Sequence, residues 1–292
     1  MSSNGRRPSP RRRECDARHI VVAPSGAQNP SSVTTDPSQA IGTFAIMPLT
    51  IPTHPVAVVP LKLWRPTWFD GVALVIGSIA PDVSYAFLGY GFVMPSHAWH
   101  GPLWWGLPVT LIGAWLARRA APAIAAHLPS GGRLALRDYG VLGSVRHPWY
   151  VTWWSALVGA YSHLAWDSFT HATIDGHHPL LPVLLRQVPP GVPLWYVFST
   201  GSNLFGFVMA TVLIVHIGRN RLLRRWHGPA PRTVRRPALF WAAVVGVVGA
   251  GLVWLWLQPV HFLLVKALQA MLIGGLALLA GAAAVARRPA HQ

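Results

Sequence analysis

Cysteine is almost absent from this 292-residue chain: Cys15 stands alone, which excludes an internal disulfide and any cysteine-rich zinc site. Charge is scarce too. Only 11% of the residues are charged, where a soluble domain of this length carries about a quarter. Acidic groups are the rarest: from Met47 onward they are Asp70, Asp82, Asp138, Asp167 and Asp175, with no glutamate. What fills the chain instead is apolar, 52% hydrophobic residues and 15 tryptophans. The apolar residues lie in several long runs, which indicates an integral membrane protein rather than a large soluble core.

The formal charge of +16 raises nucleic-acid binding as a first thought. The arginines, however, sit in blocks between apolar runs, where the positive-inside rule puts them. Membrane lipids are therefore the expected partners, and no nucleic-acid partner is expected.

Residues 1–46 are basic and Ser/Pro-rich, without the apolar h-region of a secretory signal, and are expected to be disordered. A translation start at Met47 would leave them out altogether. From His54 to Leu63 and from Val72 to Leu88, two short apolar segments flank a Trp-rich turn and read as a helical hairpin dipping into the membrane. Full spans follow at about Leu103–Leu116, Val151–Thr170, Trp195–Ile217, Pro237–Leu257 and His261–Ala286. The expected fold class is all-α: a polytopic helical membrane protein with five full spans plus an N-terminal short helical hairpin. Residues 47–218 form the membrane domain, 219–236 a polybasic cytoplasmic loop and 237–292 a C-terminal helical hairpin.

Arginine placement makes the loops 118–150 and 218–236 and the C-terminus cytoplasmic in a cell membrane, and turns the loops 89–102 and 171–194 outward. The outward loops border Asp82, His97, His100, His163, Asp167, His171, Asp175, His177 and His178. The arginines of the N-terminal tail conflict with this topology, and a start at Met47 removes the conflict.

The stretch SHLAWDSFTHATIDGHHPLLP, residues 162–182, carries the chemistry. It sets His163, Asp167 and His171 four residues apart, on one face of a helix. An Asp or His at mid-membrane costs on the order of 2–3 kcal/mol unless it is paired, ligated or facing a polar cavity. A metal ion would use all three side chains at once, whereas a hydrogen-bonded pair joining two helices is the plainer alternative. Zinc takes His nitrogen and Asp oxygen tetrahedrally, and a catalytic zinc keeps one position for water. HAWHG adds His97 and His100, Asp82 ends the hairpin and His54 begins it. The candidate ligands are thus His54, Asp82, His97, His100, His163 and Asp167, with Asp167 and His171 as candidate catalytic groups. Six ligands exceed the needs of one zinc, so a two-metal site and a ligand-plus-base arrangement both stay open.

The order THP, IAPD, HxxHG, SHLxWDSFTH and DGHHP resembles the bacterial membrane family catalogued as domain of unknown function 4184. It is more distantly similar to the predicted membrane-bound metal-dependent hydrolases typified by the LexA-binding inner-membrane family. The resemblance covers about Met47 to His216, and the C-terminal spans only in general character. It implies a helical membrane protein with a metal-dependent hydrolase site at His54, Asp82, His97, His100, His163 and Asp167. The expected function is hydrolysis of a lipid-like, ester or phosphoester substrate at the outer membrane face with a divalent metal, zinc by preference. A proton- or metal-coupled transporter and a non-catalytic scaffold are the alternatives. A transporter should carry polar residues at several depths, whereas here they crowd one face.

Overall fold

The computed structural model describes residues 52–88, 90, 94–171, 181–188, 191–259 and 263–286. The tail 1–46 and the loop histidines His177 and His178 with Asp175 lie outside the described residues. Among those described there is no strand. The elements are helices α1 (Thr53–Trp64), α2 (Gly71–Gly77), α3 (Ala80–Val83), α4 (Leu107–His127), α5 (Trp149–Thr170), α6 (Leu194–Arg219), α7 (Leu222–His227), α8 (Pro237–Leu257) and α9 (Leu263–Ala286), joined by 3-10 and π-helical turns.

Three helices, Leu194–Arg219, Pro237–Leu257 and Val265–Ala286, are long and apolar enough to cross a membrane by length and composition. The sequence led us to expect five, and the difference has a physical cause. The run expected at Leu103–Leu116 continues without a break to His127, so that Arg118 and Arg119 fall inside α4. Helix α5 has the length, 22 residues, but its last three turns carry Ser162, His163 and Asp167.

The seven-residue helix α2 lies at the centre, packed against α1, α4 and α5. Asp70 starts it: Oδ1 accepts hydrogen bonds from the backbone N–H groups of Val72 and Ala73 at 3.1 and 3.2 Å, an N-cap that satisfies two orphan donors. Its Oδ2 accepts from Thr152 Oγ1 at 2.8 Å and from Arg118. Burial raises the Asp70 carboxyl, but Arg118 and the hydrogen bonds from Thr152 and Ala73 outweigh it and hold the group below its usual range. Arg118 is thus not a solvated loop residue at the end of a span. It neutralises a buried carboxylate 48 residues away in the chain.

Helices α2 and α5 cross backbone to backbone. A Cβ at Gly159 would stand 2.5 Å from the Leu74 carbonyl oxygen and 2.8 Å from the Ser78 nitrogen, and one at Gly77 2.5 Å from the Ala156 oxygen. Small residues at such crossings let helices approach closely. Gly159→Ala is expected to force the helices apart and to cost about 2–3 kcal/mol, read as a lowered unfolding temperature in detergent. Helix α6 docks on the start of α1 in the same way: Gly206 lies against Thr53, and Thr53 Oγ1 donates to the Ser202 carbonyl at 2.9 Å.

Helices α8 and α9 pair with each other, and α9 also packs on α4. At one end Gln269 donates to the Ala86 carbonyl at 2.9 Å. At the other the Arg236 N–H donates to His127 Nε2 at 2.9 Å, and His127 stacks on Phe240 with ring centroids 4.4 Å apart. Phe240 is the one buried residue of α8; the rest of the helix is partly or fully exposed.

Candidate functional site

The α2–α5 crossing sets one wall of the site. One turn beyond Gly159, His163 is fully buried and its Nδ1 lies 2.7 Å from the Ser78 carbonyl oxygen. A carbonyl only accepts, so Nδ1 carries the proton, and in the neutral ring Nε2 presents its lone pair. Four residues on, Asp167 brings Oδ2 to 3.0 Å from His163 Nε2. Asp82 arrives from α3, which is fixed by Ser84 Oγ donating to the Pro81 carbonyl at 2.8 Å and by Trp105 Nε1 donating to the Ala80 carbonyl at 3.0 Å. His97 comes from the turn before α4. Its Nδ1 lies 3.0 Å from Ser96 Oγ, which meets Ser84 Oγ at 2.6 Å, and Tyr85 stacks on its ring at 4.7 Å.

These four residues meet through one atom each. His97 Nε2 lies 3.1 Å from His163 Nε2, 3.4 Å from Asp82 Oδ1 and 3.6 Å from Asp167 Oδ2. His163 Nε2 lies 3.4 Å from Asp82 Oδ1. All four ligand atoms are within 4.8 Å of one another. Such a set could hold a metal ion, and equally a shared network of hydrogen bonds.

The remaining candidates are placed differently from one another. Asp167 turns its second oxygen, Oδ1, toward His54 Nε2 at 3.5 Å and His171 Nδ1 at 3.2 Å. His54 is stacked on His163, ring centroids 3.8 Å apart. His54 and His171 therefore flank the far side of Asp167. His100 offers no atom to the four-residue group and packs edge-on to Trp99 at 5.4 Å.

Sequence reasoning passed over three supports. The Ser78 carbonyl and the Ser96 hydroxyl orient the two histidines; only Ser96 was visible as a lone polar residue, beside HAWH, since any residue at position 78 offers a carbonyl. On α6, Ser199, Ser202 and Asn203 fall at the spacing of one helical face, which the reading of that span as plain apolar ignored. Ser202 Oγ accepts from Trp166 Nε1 at 2.8 Å and ties α6 to α5.

A family model described as domain of unknown function (DUF4184) matches residues 47–287. The match extends through α8 and α9, further than the motifs alone suggested. No curated protein and no solved structure matches the chain.

Proposed function

The chain belongs to that family, whose description assigns no activity, and we propose from the site that it is an integral membrane protein holding one divalent metal ion, zinc by preference, between Asp82, His97, His163 and Asp167 and using it to hydrolyse an ester or phosphoester bond of a lipid-like substrate. The observation that carries the reading is the set of ligand-atom separations: five of the six are 3.0–3.6 Å, and all four atoms lie within 4.8 Å of one another. A tetrahedron with Zn–N and Zn–O bonds of about 2.0–2.1 Å has edges of about 3.3–3.4 Å. Four groups from three separate pieces of chain thus come close enough together to share one ion. The donor set, two imidazole nitrogens and two carboxylate oxygens, also suits zinc.

When bound, the ion supplies Lewis acidity: it polarises a carbonyl or phosphoryl oxygen and acidifies water. The protein supplies the rest. Four protein ligands would fill a tetrahedron, so hydrolysis would need a fifth position, or the release of one carboxylate, to admit water. Asp82, Asp167 and His97 keep 15%, 13% and 10% of their side-chain surface exposed while His163 keeps none, and substrate enters past the first three. Asp167 Oδ1, turned away from the four ligand atoms toward His54 and His171, is the proton acceptor, and His171, 13% exposed, passes the proton outward. Ser78 and Ser96 hold the two imidazoles in the orientation that aims Nε2 inward.

The membrane placement follows the arginines. The π-helical turn Pro102–Gly106 with the first part of α4, residues 107–117, and helix α5 cross beside the three fully apolar helices, and α1–α3 form the short hairpin. The C-terminal ends of α4, α6 and α9 face the cytoplasm, by the arginine blocks of the sequence at 118–119, 219–225 and 287–288, and the cluster faces outward.

Full-length protein purified in detergent without chelator is expected to carry one zinc per chain by elemental analysis. Chelation should abolish hydrolysis across a panel of fluorogenic acyl esters and phosphodiesters, and readdition should restore it. Protein devoid of transition metal, or hydrolysis that survives complete chelation, contradicts the proposal. Ser96→Ala removes the partner of His97 Nδ1 and is expected to weaken zinc affinity about 10- to 100-fold without unfolding the chain, measured by competition with a chromophoric chelator.

A further inference from the structure

Helix α1 runs from His54 in the cluster to Lys62, about 12 Å away along the helix. The Lys62 end opens into a separate cavity of about 630 Å³ between α1, α2 and the C-terminal halves of α4 and α6. Its walls are almost entirely aliphatic, from Val59, Leu74, Ala121, Ile124 and Leu213 among others. Ile214, 42% exposed on α6, stands among the lining residues, so the cavity communicates with the apolar flank of the molecule.

The charged groups are gathered at one place. Arg118 pairs with Asp70, and the carboxylate also takes Thr152, so these two charges cancel. Lys62 Nζ donates to the carbonyl oxygens of Pro66 and Phe69 and lies 5.6 Å from the centroid of the Trp226 ring. Its hydrogen bonds thus go to neutral acceptors, and its charge is left over. His147 and His227 line the same cavity, their ring centroids 6.3 Å apart. Burial pushes the Lys62 ammonium down to about 8, with Asp70 acting against it and Arg118 with it, so the group stays charged at neutral pH. Burial lowers both histidines.

We infer that this cavity is a binding site for one anionic membrane phospholipid, with an acyl chain between α1, α4 and α6 and the headgroup phosphate at Lys62, His147 and His227. Two features select that occupant. An aliphatic lining offers water no partners, and a cavity of this kind holds an apolar chain more readily than it holds water. The surplus charge at its head is positive, and an anionic headgroup complements it. The site lies at the opposite end of α1 from the metal-ligand cluster and among the Arg-rich loops, where the anionic leaflet is expected. It does not depend on the cluster binding metal.

The test uses full-length protein in nanodiscs of equal phosphatidylglycerol and phosphatidylcholine, released into detergent for native mass spectrometry. One retained lipid per chain is expected, with phosphatidylglycerol favoured about fivefold, the effect of one uncompensated cation. Lys62→Gln should abolish that preference while a lipid is still retained. Ala121→Phe, which fills the aliphatic part, should lower retention of both lipids at least tenfold. Should Ala121→Phe fail to fold, a phosphatidylglycerol with a diazirine in its acyl chain provides the second readout. Labelling of Val59 or Leu213 is expected, and labelling confined to the outer faces of α8 and α9 overturns the site. Equal retention of the two lipids by the unaltered chain overturns it as well. So does displacement of the lipid by soluble glycerol phosphate, which would make the site one for a free anion.

Discussion

His163→Ala and Asp167→Ala are each expected to weaken zinc binding by about 10²–10³-fold, because each removes one of four ligand atoms from a site whose total binding energy is of order 10–16 kcal/mol. The two variants should differ in what else they disturb. His163 is buried against the Ser78 carbonyl, so its loss leaves a cavity and an orphaned acceptor and should also lower the unfolding temperature. Asp167 touches both groups of histidines, through Oδ2 to His97 and His163 and through Oδ1 to His54 and His171. Asp167→Asn keeps the shape and removes the charge, and is expected to retain the fold while losing the metal. His100→Ala should leave zinc content unchanged, since His100 offers nothing to the four-residue group. Equal zinc content in all four variants would place any metal elsewhere.

The largest expected loss of stability belongs to a residue with no part in the site. Asp70→Ala uncaps α2, leaves the Thr152 hydroxyl without its acceptor and strands the half-buried Arg118. Breaking a buried pair from one side costs about 3–5 kcal/mol, because the remaining charge stays desolvated. That corresponds to a drop of roughly 10 °C in unfolding temperature for a chain of this size. Since α2 carries Ser78 at its end and crosses α5 at Gly159, the loss should reach the cluster and appear as weaker zinc binding. Arg118→Leu in the Asp70→Ala background removes the stranded charge and should recover part of the stability. A double variant no more stable than Asp70→Ala would show that the charge was not the cost.

How much of this was legible in the sequence depends on how local each feature is. The His163–Asp167 pairing follows from helical spacing alone, and the observed 3.0 Å contact is an i,i+4 pair. That Asp82 and His97 stand near it followed only from arginine counts setting the loops on one side. Which oxygen of Asp167 each histidine meets could not be read at all, because it depends on the crossing of α2 and α5. His97 and His100 looked equivalent as an HxxH pair, but they sit in a turn, where three residues do not return the chain to the same face. Arg118 and Asp70 are 48 residues apart, and nothing in either neighbourhood announces the other. The count of fully apolar spans was overestimated because apolar runs were read without asking where a helix carrying Arg118 or Asp167 would go on.

X-ray absorption at the zinc edge of the purified, full-length protein tests the central claim most directly. Four nitrogen or oxygen neighbours at about 2.0–2.1 Å, with the multiple-scattering signature of two imidazoles, are the result expected from Asp82, His97, His163 and Asp167. Loss of one imidazole contribution in His97→Ala should follow. An edge with no protein nitrogen in its first coordination sphere, or a sphere unchanged in His97→Ala, would mean that these four side chains do not hold the ion.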